Sequence, residues 1–195
     1  MRATAAIILA AGGASRFGSA KQLALYDGIP LVRHAVAAAE AAGCAPVIVV
    51  AGEKLPEIAA VLKGTVAQVV ENARWRAGMG ASLHCGLAAL DEWEAVLIMA
   101  SDQPLVTELT LRRLMAAGKR APEATIAAAY AGTSGIPVLF PSCQRSLLEA
   151  VPEGQGAKAV LAAHADVVTT VPAPEAGFDI DYPEDLGRMI SAIPA

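Results

Sequence analysis

The side chains best suited to chemistry in this sequence are two basic residues behind a glycine-rich run, Arg16 and Lys21, and three carboxylates far along the chain, Asp102, Asp179 and Asp181. The run Leu9-Ala10-Ala11-Gly12-Gly13-Ala14-Ser15-Arg16-Phe17-Gly18-Ser19-Ala20-Lys21 carries three glycines, which permit backbone turns and close approach to an anion. A loop built from Leu9, Ala10, Ala11, Gly12 and Gly13 suits the phosphates of a nucleoside triphosphate. Arg16 is placed to grip phosphate oxygens through paired N–H donors, and Lys21 to set a point charge on the α-phosphate as negative charge builds in the transition state. Spacing excludes two other phosphate loops. Ser19 follows Gly18 where a P-loop needs Lys, and no Gly-x-Gly-x-x-Gly is present for a dinucleotide.

The carboxylates supply hard oxygen donors, the type that Mg²⁺ takes as one or two protein ligands beside substrate phosphates and water. Asp102 follows an apolar run in Ser101-Asp102-Gln103-Pro104 and is the leading ligand candidate. Near the end, Phe178-Asp179-Ile180-Asp181-Tyr182-Pro183-Glu184-Asp185 sets two acids two residues apart, so in extended backbone both point to one face and can complete the metal site. Either Asp179 or Asp181 can be the closer ligand. Glu184 and Asp185 are expected in the first turn of a last helix, where acids complement its dipole.

A third informative stretch, Asn72 to Leu87, contains Gly78-Met79-Gly80, read as a flexible turn into a helix that begins near Ser82. The free N–H groups of that helix start, with the Ser82 hydroxyl, are candidates to hold the nucleotide base or ribose, making Asn72, Gly78, Met79 and Ser82 nucleotide-binding candidates.

These residues need a scaffold that brings them together. Short apolar runs at 5–9, 47–50, 66–70, 95–99, 125–129, 138–140 and 167–171 read as strands. They alternate with alanine-rich helical runs at 30–42, 55–62, 81–90, 107–116, 142–150, 157–163 and 183–193. This alternation marks an α/β domain with a mostly parallel sheet, a Rossmann-like three-layer sandwich in which ligands sit beyond the carboxyl ends of the strands. No composition shift divides the 195 residues, so one domain over 1–195 is expected, and the Gly/Pro-rich stretch 131–137 reads as a loop.

A hydrophobic content of 55% suffices for a buried core. The net charge of −4 argues against nucleic acid as the partner, since backbone binding needs a broad basic surface. Cys44, Cys85 and Cys143 lack the spacing of a disulfide framework or zinc site, and a cytoplasmic setting is the simplest expectation. The first apolar stretch is too short to span a membrane. His34, His84 and His164 fall in helical runs without zinc spacing and are read as surface or packing residues.

The glycine run resembles the LAAGxSxRMGxxK signature of the nucleotidyltransferases that include the molybdenum-cofactor guanylyl- and cytidylyltransferases, the MobA-like NTP transferases, with Phe17 where Met is usual. The middle stretch resembles NPxWxxGMGxSLxxGL of the cytidylyl branch at Asn72, Trp75, Gly78, Met79, Gly80, Ser82, Leu83, Gly86 and Leu87. Ser101-Asp102-Gln103-Pro104 resembles a GDQP-like segment, and Asp179 to Leu186 a DIDTPEDL segment. The acceptor half departs: Ile136 stands for a usual His, Gln155 stands in a stretch whose usual Asp is absent or changed, and Lys158 occupies an Arg position. Lys lacks the bidentate fork of Arg.

The resemblance implies the nucleotide-diphospho-sugar transferase fold and a Mg²⁺-dependent transfer of a nucleoside monophosphate, with CTP favoured. The implied acceptor is molybdopterin or its molybdenum form, and a molybdenum hydroxylase the recipient of the product. A sugar phosphate or methylerythritol phosphate is the alternative acceptor, and a nucleotide-binding protein without turnover the alternative from outside the enzymes. Arg16, Lys21 and Asp102 are the expected catalytic groups.

Overall fold

The computed structural model describes residues 3–13, 17 and 20–190. Strand β1 (Ala5–Ala10) is followed by a small hairpin, β2 (Leu25–Tyr26) and β3 (Ile29–Pro30), and by α1 (Leu31–Ala42). Next come β4 (Val47–Ala51), α2 (Leu55–Val61), β5 (Gln68–Glu71), α3 (Met79–Ala88), β6 (Ala95–Ala100) and α4 (Glu108–Arg120). The chain continues through β7 (Thr125–Tyr130), β8 (Thr133–Pro141), α5 (Arg145–Glu149), α6 (Ala157–Ala163), β9 (Val168–Pro172) and α7 (Pro183–Ile190).

Seven strands form one sheet in the order β5-β4-β1-β6-β8-β7-β9. All run parallel except β8, which is antiparallel to both β6 and β7. Side chains that alternate along a strand face opposite layers. Ala6, Ile8 and Ala10 pack with Val32 and Val36 of α1, Ile58 of α2, and Leu111 and Leu114 of α4. Ala5 and Ile7 pack on the other face with Leu83 and Leu87 of α3, Leu148 of α5, and Val160 and Leu161 of α6. This is the expected three-layer arrangement, and the apolar runs read as strands do lie in the sheet.

Two features differ from the sequence expectation. The stretch 131–137 is not a loop: only Ala131 and Gly132, both at positive φ, make the turn, and β8 begins at Thr133. The strand is disguised because its register to β7 steps from Ala127↔Val138 to Ala128↔Gly135, leaving Ile136 and Pro137 as a bulge, where a proline's missing N–H is tolerated. The β2–β3 hairpin has no counterpart among the expected elements. Its turn residues, Asp27 and Gly28, are both at positive φ, the conformation that an Asp-Gly pair accepts in a two-residue hairpin.

Helix α3 lies unusually close to the sheet. A Cβ on Gly86 would come within 2.5 Å of Ile7 Cγ2 and 3.1 Å of Val50 Cγ2, so glycine lets the helix settle on β1 and β4. Substituting Gly86→Val should overpack this contact and cost about 2 kcal/mol. A denaturant midpoint equal to that of the unchanged protein would contradict the close approach.

Candidate active site

The parallel strands β1, β4, β5, β6 and β7 all end on one edge of the sheet, and the chain leaves β1 between β4 on one side and β6 on the other. A cleft of about 1270 Å³ opens there. That exceeds the usual size of a single small-ligand pocket, roughly 300–1,000 Å³, and leaves room for two substrates side by side. Leu9, Ala10, Ala11, Gly12 and Gly13 line it, followed by Ala20 and Lys21. Arg16 lies outside the described residues. A buried glutamine that the sequence reading passed over shapes the loop: Gln22 Nε2 donates to the Gly12 carbonyl at 2.7 Å.

The carboxylates meet through backbone bonds that no local pattern reveals. Ser101 N–H donates to the Leu9 carbonyl at 3.2 Å, tying the end of β6 to the end of β1. The Ile180 N–H then donates to the Asp102 carbonyl at 2.9 Å, laying the C-terminal acidic segment beside Asp102. Ile180 is buried against Tyr26 and Leu31, which leaves its two acidic neighbours for the cleft side. Asp185 Oδ2 accepts from the N–H groups of Asp181 and Tyr182 at 3.0 and 2.8 Å and so fixes the start of α7, the position expected of it. Gln103, also buried, donates through Nε2 to the Ala176 carbonyl at 2.8 Å and the Ile136 carbonyl at 3.3 Å, holding the acceptor-side segments to the end of β6.

Lys21 sits among these acids. Its Nζ lies 2.5 Å from Asp102 Oδ2 and 3.1 Å from Asp181 Oδ1. Burial works against the ammonium charge, but the attraction and hydrogen bonds of Asp102 and Asp181 outweigh it and hold the Lys21 pKa above its ordinary value. Asp179 has the opposite problem. It lines the cleft and is exposed there. Desolvation where its carboxyl meets the protein and the like charge of Asp102 raise its pKa, with Asp181 adding to the effect while Gln103 and Lys21 partly offset it. The pair therefore divides: Asp181 holds Lys21, and Asp179 lines the cleft. Among the described residues no three His, Cys, Asp or Glu side chains stand ready as a metal cage, and Lys21 is the cation the carboxylates clasp.

The start of α3 departs from expectation. The helix begins at Met79, three residues before Ser82, with Gly78 at φ 126° as its cap. Its early N–H groups are not all free for a ligand: those of Gly80 and Ala81 both donate to the Glu153 carbonyl, at 2.9 and 3.3 Å. Close approach of the 152–156 loop makes this possible, since a Cβ at Gly78 or Gly80 would overlap its backbone. Gly78, Met79 and Ser82 do line the cleft. Asn72 is buried and acts as a bracket: its N–H donates to the Ala51 carbonyl at 2.8 Å, its Nδ2 to Ser82 Oγ at 3.0 Å, and its Oδ1 accepts from Arg74 N–H at 2.9 Å.

Ile136 and Tyr130 line the cleft at the β7–β8 hairpin, whereas Lys158 is exposed on α6 and does not. His34 Nε2 bonds to the Tyr26 carbonyl at 2.7 Å, and His84 lies in the α3 layer, in keeping with packing roles. Of the residues missed in sequence, Gln22, Gln103 and Glu153 act through contacts with partners 10 to 73 positions away, which leave no local signal.

A family model described as the MobA-like NTP transferase domain matches residues 6–167. The bifunctional protein GlmU of Sorangium cellulosum is 35% identical over 130 residues, covering 63% of this chain but only 28% of that protein, so the chain spans little more than a quarter of such a relative. Nicotine blue oxidoreductase of Paenarthrobacter nicotinovorans is 27% identical over 195 residues, 94% of this chain and 95% of the relative. Among solved structures, a nucleotidyl transferase from Methanothermobacter thermautotroptrophicus is 25% identical with a TM-score of 0.82, over 97% of this chain and 96% of that one. Rv0371c from Mycobacterium tuberculosis is 26% identical with a TM-score of 0.77, over 98% and 100%, and a structure of it in complex with manganese is also similar. No helix among the described residues is long and apolar enough to cross a membrane. With its match running from β1 almost to β9, the chain belongs to the MobA-like NTP transferase family of nucleotidyltransferases.

Proposed function

We propose that this protein transfers a nucleoside monophosphate from an NTP, with CTP favoured, to a phosphorylated acceptor, molybdopterin or its molybdenum form, releasing pyrophosphate. The observation that carries the reading is Lys21, which ends the glycine loop and is held at 2.5 Å from Asp102, just past the end of the neighbouring strand β6. An ammonium so placed supports a role beside the reacting phosphate of a triphosphate seated on residues 9–13. The acceptor phosphate oxygen attacks the α-phosphorus, the bond from that phosphorus to the bridging oxygen breaks, and pyrophosphate departs with the electron pair. An acceptor phosphate is already ionised at neutral pH, so the chain must chiefly align two anions and neutralise charge. Arg16 and Lys21 are assigned to that task, with the Gly12 and Gly13 backbone shaping the cradle and Gln22 holding it.

The residues fit a divalent cation. Asp102, Asp179 and Asp181 are hard donors; Asp102 and Asp181 already clasp the Lys21 ammonium, and a cation beside Asp179 would relieve its repulsion by Asp102, which adds to desolvation in raising its pKa. Mg²⁺ bound there would offset charge on the phosphates. The manganese complex of Rv0371c supports the assignment by similarity. If the acceptor is the molybdenum cofactor, a molybdenum hydroxylase is the natural recipient of the product. The oxidoreductase named among the full-length relatives favours a second reading, a redox protein on the same scaffold.

Pyrophosphate release with Mg²⁺, measured for CTP, GTP, ATP and UTP with molybdenum cofactor and with sugar phosphates, tests the proposal. Cofactor-dependent release from CTP is expected. Release only with a sugar phosphate would replace the acceptor, and oxidation of a reduced nicotinamide without any pyrophosphate would favour the redox reading. Lys21→Ala should lower the rate about a hundredfold, checked in the same assay with a circular dichroism spectrum to confirm folding.

Asp179 yields a second prediction. An acid whose folded pKa lies above its unfolded value weakens the fold once ionised; the penalty is present above the folded pKa and vanishes below the unfolded one. Asp179→Asn should therefore raise Tm at pH 7 without metal, by an amount that shrinks as pH falls through the carboxylate range, while weakening Mn²⁺ binding. A lower Tm with unchanged Mn²⁺ affinity would remove Asp179 from the site.

A further inference from the structure

Trp75 stands where two glycine-bearing loops meet. Asn72 sets the turn that carries it, since the Trp75 N–H donates to the Asn72 carbonyl at 3.2 Å. The indole covers Gly13, at the end of β1, and Gly52, at the end of β4: a Cβ on either would come within 2.8 Å of the ring. Two backbones without side chains thus form a seat for this ring in the wall of the cleft. Over the indole lies the guanidinium of Arg76, 4.4 Å from the ring centroid. Arg76 is 76% exposed, and its ion pair to Glu53 is long, at 3.8 Å. A flat, loosely held cation on an aromatic face beside the glycine loop can be displaced by another flat group.

We propose that Trp75 is the platform on which the base of the bound nucleotide stacks, with the Arg76 guanidinium covering the ring in the ligand-free protein. The proposal rests on the nucleotidyltransferase reading and adds a residue to it. The position suits a base: Trp75 lies over the ends of β1 and β4, whereas Asp102 follows β6 on the other side of β1, where the proposed function sets the reacting phosphates. An exposed cation–π contact is weaker than a base–indole stack, so the exchange favours the base. Stacking uses a face that every base has, so this platform contributes affinity with little selectivity among bases.

The test compares CTP and GTP with inorganic tripolyphosphate, all with Mg²⁺, by titration calorimetry. Trp75→Ala should weaken binding of whichever nucleotide binds by about tenfold to a hundredfold while leaving tripolyphosphate within about twofold, and Trp75→Phe should keep most of the nucleotide affinity. Equal losses for nucleotide and tripolyphosphate would show that the ring only spaces the loops and would overturn the proposal, as would no loss at all. Trp93, the other tryptophan, is buried. In a Trp93→Phe chain the remaining fluorescence should therefore change with nucleotide and not with tripolyphosphate, a readout that does not depend on the alanine variant folding. An intact protein that binds neither nucleotide nor tripolyphosphate would instead overturn the nucleotidyltransferase reading, and this one with it.

Discussion

Two carboxylates clasp one ammonium while a third stands at the cleft beside them, and most of the architecture can be understood as what it takes to hold them there. Asp102, Asp179 and Asp181 repel one another, and Lys21 balances only part of their charge. Left to itself such a cluster would spread apart. It is held by backbone bonds that the charges do not control, above all the bond from Ile180 N–H to the Asp102 carbonyl, and by the burial of Ile180 under the β2–β3 hairpin and α1. The hydrophobic layers are thus the source of the free energy that keeps unfavourable charges close, a common relation between core and active site.

The glycines divide along similar lines. Gly86 brings α3 onto the sheet, and Gly78 and Gly80 let the 152–156 loop lie against the start of that helix. At each of these positions the missing side chain admits another part of the chain. The β1 loop holds both kinds: a Cβ on Gly13 would strike the Trp75 ring, whereas one on Gly12 would meet nothing within 4 Å, so that residue is open toward the cleft. Glycine within one family signature therefore serves both packing and ligand access, and only the fold tells which is which.

Much of the frame was legible in the sequence. Buried parallel strands appear as short runs such as Ala5 to Ala10 and Val47 to Ala51 because both faces are covered, and Glu184 and Asp185 fall in the first turn of α7, where acids complement the dipole. Asp102 stands out because it follows an apolar run, and Asp179 and Asp181 because their spacing sets both on one face of extended backbone. The run 138–140 is legible as a strand, but the first part of β8, 133–137, is hidden by Gly135 and by the bulge at Ile136 and Pro137, which break the alternation a strand is recognised by. The spent N–H groups of α3 were hidden for another reason: their acceptor, Glu153, is more than seventy residues away, and a helix start looks the same whether or not something already covers it. Lys21 lines the cleft, but its clasp by Asp102 and Asp181 depends on the pairing of β1 with β6 and on the return of the C-terminal segment, which no local pattern shows.

The reversal of β8 bears on how such a protein can diversify. Because this strand runs against its neighbours, it brings its beginning to the cleft, and Tyr130, the Ala131–Gly132 turn and Ile136 form one continuous tip contributed by a single hairpin. The glycine loop, Lys21 and Asp102 belong to β1 and β6 and share few residues with that tip. Descent with modification can therefore rewrite the hairpin while inheriting the half that carries the glycine loop, Lys21 and Asp102 unchanged. A scaffold whose two ends vary independently is well suited to give rise to many enzymes that share a donor and differ in what they modify.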